Sequence, residues 1–215
     1  MIEVHIPYLP GKRLNQAYNY YMARSSVRWV LFVDHDVYLA LNPHWYDCCE
    51  KATQEADRRG RPGMITCMTN RIARKTAAAR VLLLDNGNYD NDSMEWHHLV
   101  ARRLWDTYGC SLEPLQVQNL PGFFMLVSVG AWRAVGGFQP MPAEPGSSEQ
   151  WHRPGAPGFL SVDNWFSRRL QAAGRRNYYL PGLYVYHGYR RQWREDSAWQ
   201  QKTSDKAEAE ASSSE

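Results

Sequence analysis

The sequence predicts an α/β fold, in which helices pack on a largely parallel or mixed sheet. Three observations carry this expectation. Short apolar runs alternate along the chain with longer segments in helical register. The run Trp29–Val33, WVLFV, is apolar throughout, as a fully buried strand is. The composition, 44% hydrophobic and 22% charged over 215 residues, is that of a globular chain long enough to bury one sizeable core.

The elements follow in order. Glu3 to Ile6 reads as a short strand ended by Pro7 and Pro10. Arg13 to Arg24 is a helix, with Leu14, Ala17, Tyr18 and Tyr21 spaced for one face. Val27 to Val33 is a buried strand. Pro43 suits the first position of a helix that runs to Arg59 and is closed by RRGRPG. Met64 to Asn70 and Val81 to Leu84 are two further strands. Met94 to Tyr108 is a helix, with Trp96, Leu99, Val100, Arg103 and Leu104 in register. Val117–Gln118 and Phe123 to Val129 read as strands around NLPG. Ala131 to Val135 is a short helix stopped by Gly136 and Gly137. Residues 141–158 form a long Pro-, Gly- and Ser-rich loop, a length that is uncommon without a function or disorder. Val162 to Ala173 is a helix stopped by Gly174, and Tyr178 to Tyr186 contains the last strand. The tail, residues 201–215, has almost nothing to bury and is expected to be disordered.

Charge is unevenly spread. The net charge is +3, yet Asn164 to Arg194 holds seven arginines and no acid, which leaves −4 on the rest. Such a patch suits an anionic ligand such as a phosphate, although Arg168, Arg169, Arg175 and Arg176 read as a solvated helix face. No run approaches the roughly 18 apolar residues of a membrane span. The four cysteines show no CxxC spacing, and Cys48 and Cys49 are adjacent. They read as reduced thiols on or beside a helix of a cytoplasmic protein, not as a zinc site or disulfide framework.

The chemistry concentrates where apolar strands end in polar groups. WVLFVDHDVYL ends a buried run in Asp34, His35 and Asp36. Alternation along an extended chain places Asp34 and Asp36 on one side, facing a point beyond the strand's C-terminal end. Ligands of open α/β sheets bind at that edge. Carboxylate oxygens suit Mn²⁺ and Mg²⁺, ions that also grip diphosphates. The plainer alternative is two turn-forming acids. LYVYHGYRRQW repeats the pattern with His187, followed by Arg190 and Arg191 in a segment fit to close on a phosphate. LSVDNWFSRRL places Asp163 at a helix start, where a carboxylate serves as a cap or as a general base.

Taken together these segments resemble the GT-A glycosyltransferases, in particular the family 2 type. LFVDHD is similar to their DxD motif, GFFMLVSVGAWRAVGGF to the segment preceding the acceptor region, SVDNWFSRRL to the ED-type motif, and YVYHGYR to the late metal-binding histidine. The resemblance covers about residues 1 to 195. It implies a Rossmann-like three-layer sandwich with a mostly parallel or mixed sheet, one catalytic domain over residues 1–200. Residues 1–40 would form the nucleotide and metal part and 41–195 the acceptor part. It implies a nucleotide-sugar donor, UDP-sugar favoured, and Mn²⁺ or Mg²⁺ as cofactor. Asp36 and His187 would ligate the metal, with Asp34 on the metal through water or on the ribose. Asp163 would be the catalytic base. Pro7, Tyr8, His35, Gly122, Phe123, Arg190 and Arg191 would contact the donor, and Trp151, Asn164 and Trp165 the acceptor. The acceptor class stays open among carbohydrates, other hydroxyl compounds and nucleic acid. Val162 and Trp165 stand where the family pattern has acids, and only 33 residues precede Asp34.

Two other readings compete. A GT-A-like protein that binds carbohydrate or nucleotide without turnover fits the same residues. A haloacid-dehalogenase-like phosphatase also begins with an apolar strand ending in DxD, the first Asp being its nucleophile. That class needs a later lysine, and none occurs between residues 76 and 200.

Overall fold

The computed structural model describes residues 1–72, 79–84, 93–116, 119–140 and 162–188. The expected Val117–Gln118 strand, the 141–158 loop and the 201–215 tail lie outside these residues. The described elements run β1 (Ile2–His5), α1 (Leu14–Arg24), β2 (Trp29–Val33), β3 (Val37–Tyr38), α2 (Trp45–Arg59) and β4 (Pro62–Thr69). After a 3₁₀ turn (Ala79–Leu82) come α3 (Met94–Tyr108), β5 (Glu113–Pro114), β6 (Phe124–Ser128), α4 (Val129–Ala134), α5 (Val162–Ala172) and β7 (Arg176–His187).

All seven strands join one open sheet in the order β1-β2-β6-β4-β7-β3, with β5 also on β7. The pairs β1–β2 and β4–β7 are parallel, and β2–β6, β4–β6, β3–β7 and β5–β7 are antiparallel. The fold is therefore α/β, but the sheet is mixed and not largely parallel. The reason is β6, which inserts antiparallel between two strands of like direction. With β6 reversed, β1, β2, β4 and β7 all point the same way, so their C-terminal ends share one edge.

The central strands are buried along their whole length. β2, β4 and β6 have no exposed residue, which matches their near-continuous apolar sequences. In β4, Cys67 belongs to the main core cluster and its neighbour Met68 to a second one. In β7, Tyr184 joins the second cluster while Leu183 and Val185 join the first. Successive strand residues face opposite sides, so both faces of the β4–β7 pair are covered. Ala101 of α3 packs with Met68 and Tyr184 on one face, and Cys48 and Cys49 of α2 belong to the main cluster.

Three local expectations change. In place of the expected Val81–Leu84 strand the chain forms the 3₁₀ turn, with one parallel bridge from Leu83 to Thr69. A short apolar run has no period that separates strand from buried turn, and β4 already carries β6 and β7. The helix expected from Pro43 begins at Trp45 with His44 as its N-cap, because Asn42 first folds a turn, its Oδ1 accepting from the His44 N–H at 2.9 Å. The final strand is longer than expected. Its pairing jumps from Cys67↔Leu180 to Met68↔Tyr184, so Pro181 to Leu183 form a bulge. Gly182 fits there because a Cβ would collide with the Gly109 carbonyl oxygen.

Candidate metal and donor site

The extended run of β2 stops at Val33. Asp34 adds one more bond to the sheet, its N–H donating to the Phe123 carbonyl at 3.0 Å. Its own carbonyl accepts from the Val37 N–H at 3.1 Å and closes a turn through His35 and Asp36. β3 then pairs with β7, placing Val37 opposite His187, and the Gly188 N–H donates to the Asp36 carbonyl at 2.9 Å. The two acids converge through this turn and not, as alternation suggested, as residues of one extended strand. His187 Nε2 lies 3.4 Å from Asp36 Oδ1 and 3.9 Å from Asp34 Oδ2. One ligand atom from each of the three residues falls within 4.8 Å of the others.

His187 is held from several directions. Its ring stacks on Phe123, centroids 5.4 Å apart. Its Nδ1 lies 3.0 Å from the Arg71 carbonyl. A carbonyl only accepts, so Nδ1 carries a proton, and in the neutral ring Nε2 presents its lone pair toward the carboxylates. Its backbone N–H donates to Asn70 Oδ1 at 2.7 Å, and its carbonyl accepts from Asn70 Nδ2 at 3.3 Å.

Three acceptors facing one point create an electrostatic demand for positive charge. Asp34 shows it: burial and the Asp163 and Asp36 carboxylates push its pKa up to about 6 against the opposing pull of His187. Asp36 goes the other way. Burial raises it, but the His187 ring in its protonated form sets a donor Nε2–H and a positive charge 3.4 Å from Asp36 Oδ1, and this wins and holds Asp36 below the usual aspartate value. Bonds of about 2.1 Å to an octahedral ion put ligand atoms roughly 3 to 4 Å apart. The 3.4 and 3.9 Å separations agree with that spacing. The donor set, two carboxylates and an imidazole, fits Mn²⁺ and also Mg²⁺.

Asp163 is buried in the first turn of α5, where the helix dipole favours a carboxylate. Its charge raises the pKa of Asp34 and, after burial itself, that of the Tyr18 phenol. Its carboxylate is therefore within electrostatic reach of Asp34. Gly122 makes room for it: a Cβ there would lie 2.9 Å from Asp163 Oδ2. Neighbouring side chains of α5 hold the loop that leads into β6 and carries Gly122. Asn164 Nδ2 donates to the Leu120 carbonyl at 2.7 Å, the Leu120 N–H donates to Ser167 Oγ at 2.9 Å, and Arg168 Nε donates to Asn119 Oδ1 at 2.6 Å.

Other expected residues fall around this edge. The β1–β2 register pairs His5 with Phe32, so Pro7 and Tyr8 leave the sheet beside Asp34. The Tyr8 ring is 71% exposed, and its carbonyl accepts from the Tyr21 hydroxyl at 3.0 Å. His35 is exposed at the tip of the turn, and Trp165 is half-buried on α5. Trp151, Arg190 and Arg191 lie outside the described residues. Arg168 and Arg169 are not a solvated face as expected, because Arg169 donates to the Val135 and Gly137 carbonyls beyond α4. Asn70 and Arg71 also border the site, and neither is among the residues that the sequence pattern predicts there. Asn70 ends an apolar strand in a polar group, the same signal that marked Asp34 and His187.

A cleft of about 470 Å³ opens elsewhere, beside α3, with Met68, Val100, Leu104, Tyr179 and Pro181 in its walls. Among the described residues its lining holds no carboxylate or imidazole. Among the described residues no helix is long and apolar enough to cross a membrane. No protein-family model matches the chain, and no curated protein matches its sequence.

Proposed function

We propose that this protein is a metal-dependent glycosyltransferase with a GT-A-like three-layer architecture. It would move a sugar from a nucleoside-diphosphate sugar, UDP-sugar favoured, to an acceptor hydroxyl. The observation that supports this reading is the convergence of Asp34, Asp36 and His187 at the edge where β1, β2, β4 and β7 end, with the Asp163 carboxylate in electrostatic reach of Asp34. These residues come from segments about 150 positions apart, and the order of their motifs is that of the resemblance. The buried free thiols Cys48, Cys49 and Cys67 suit a reducing, cytoplasmic setting.

In this proposal Asp36 and His187 hold the ion, and Asp34 completes the ligands or meets the ribose. When bound, the ion supplies positive charge to the departing diphosphate. Pro7 and Tyr8 flank the base, with His35 at the turn beside the donor. Gly122 and Phe123 border the sugar, and Arg190 and Arg191 add charge against the diphosphate. Asp163 accepts the proton of the acceptor hydroxyl as the anomeric carbon exchanges its bond to the diphosphate oxygen for one to the acceptor oxygen. Trp151 and Trp165 offer aromatic faces to the acceptor, and Asn164 positions the loop that carries Gly122.

A thermal-shift panel tests the reading: UDP, GDP, CMP and their sugars, with and without Mn²⁺, on wild type and Asp36→Ala. A ligand at 100 times its Kd adds about 2.7 kcal/mol of stability. Stabilisation by one nucleotide only with metal, lost in Asp36→Ala, supports it. If no nucleotide stabilises the protein with metal present, the donor-site reading is wrong.

A further inference from the structure

Asn70 lies one residue past β4, is wholly buried, and touches neither carboxylate of the candidate site in any described contact. Its carboxamide does what a peptide unit does in a ladder. Parallel pairing of β4 with β7 ends at Thr69↔Val185. Beyond that point Asn70 Oδ1 accepts from the His187 N–H at 2.7 Å, and Nδ2 donates to the His187 carbonyl at 3.3 Å. The Thr69 hydroxyl also donates to Oδ1 at 3.3 Å. The side chain thus prolongs the sheet by one step and satisfies both backbone groups of a single residue, His187. The Arg71 carbonyl, next along the chain, takes the Nδ1 proton of the same histidine. Residues 69 to 71 therefore fix the His187 backbone and its ring tautomer together.

We infer that Asn70 is a positioning residue for the candidate metal centre: it locks His187 so that Nε2, not Nδ1, faces Asp34 and Asp36. The inference rests on the metal reading above and adds the element that makes that site preformed. Partners that orient a ligating histidine commonly change metal affinity by about 10- to 100-fold when removed. Asn70 would act one step further back, on the backbone that carries the ring.

The test uses three variants of the full chain. Asn70→Asp keeps the oxygen that accepts from the His187 N–H but sets a second oxygen against the His187 carbonyl. Asn70→Ala removes both contacts. Asn177→Asp is the control, because Asn177 is also a buried asparagine that bonds a backbone N–H, that of Met64 at 3.1 Å, at the opposite end of β4. Two readouts are needed. Titration with Mn²⁺ alone, followed by electron paramagnetic resonance, gives affinity. Histidine-ring ¹⁵N NMR of the metal-free protein at about pH 8, where an ordinary histidine is neutral, gives the His187 tautomer.

The expected result is an Nδ1–H tautomer in wild type and in Asn177→Asp. Asn70→Asp should lose that single tautomer and bind Mn²⁺ about 10-fold more weakly or worse, with Asn177→Asp unchanged. An Asn70→Asp protein that keeps the Nδ1–H tautomer and wild-type Mn²⁺ affinity overturns the inference, and so does an equal affinity loss in Asn177→Asp. Should Asn70→Ala not fold, Asn70→Asp decides alone. If wild type binds no Mn²⁺ at millimolar concentration, the metal reading fails. The tautomer comparison then still decides whether Asn70 positions His187.

Discussion

The two ends of the β4–β7 pair are closed by the same chemical device, with different consequences. At one end Asn177 reaches from β7, its Oδ1 accepting from the Met64 N–H at 3.1 Å. At the other end Asn70 reaches from β4 to both backbone groups of His187. Both asparagines are buried, and both give buried peptide groups a partner whose loss would cost about 1–3 kcal/mol. The difference lies in what the held backbone carries. Met64 carries an apolar side chain into the core, whereas His187 carries an imidazole into a pair of carboxylates. A buried asparagine is therefore evidence about backbone satisfaction. It becomes evidence about function only when the residue it holds presents a ligand atom to other ligand atoms.

The largest expected effect separates the two ends outright. Asp36→Ala and His187→Ala should each weaken Mn²⁺ binding by at least about 100-fold, beyond the range typical of outer partners. Asn177→Ala should lower stability by about 1–3 kcal/mol with Mn²⁺ affinity unchanged. Calorimetric titration and urea unfolding of the three variants read both quantities. Equal affinity losses in Asn177→Ala and His187→Ala would erase the distinction.

Each end also has a glycine that leaves room for its polar group, which gives a second and smaller test. A Cβ on Gly63 would lie 2.5 Å from Asn177 Oδ1, and one on Gly122 would lie 2.9 Å from Asp163 Oδ2. Gly63→Ala and Gly122→Ala should each destabilise by about 1–3 kcal/mol through overpacking. Only Gly122→Ala should also reduce transfer, by moving the proposed base. Turnover per folded molecule, with donor affinity measured beside it, tells them apart. A Gly63→Ala protein with equally impaired turnover would show that the sheet, and not Asp163, transmits the damage.

The residues that end apolar strands were legible because burial and polarity conflict there in plain sequence. Asp34, Asp36 and His187 all stood out on that ground, and Asp163 on its place at a helix start. What drew the acids together was not legible. Val37 and Tyr38 pair with the last strand across about 150 residues, and no local pattern encodes such a pairing. The reversal of β6 was hidden for the same reason, since FFMLVS reads alike in either direction. Asn70 carried the right signal at the end of MITCMTN. An amide that mimics a peptide unit looks like an ordinary strand terminus until its partner strand is known.

The smallest effect concerns protons, and it too divides the two ends. Asp34 holds its proton up to about pH 6 in the fold because burial and the Asp163 and Asp36 carboxylates disfavour its charge. The unfolded chain releases that proton near pH 4. Between these values the folded state binds more protons than the unfolded state, so stability falls as pH rises from about 4 to about 6. Asp36, held below its usual value, contributes with the opposite sign, giving stability above the ordinary aspartate range that is lost as pH falls. The Asp34 side chain is 39% exposed, so solvent screens it and the change in Tm should be small. Metal-free wild type, melted in EDTA across this range, should lose stability relative to Asp34→Asn. The difference between the two curves should flatten above about pH 6, where both folded and unfolded Asp34 are ionised. The Asn177→Asp protein should differ from its own Asp34→Asn double variant by the same pH-dependent step as wild type does, because the two ends do not share charges. Curves for wild type and Asp34→Asn that run parallel from pH 4 to 7 would mean that the carboxylates are less crowded than their spacing implies.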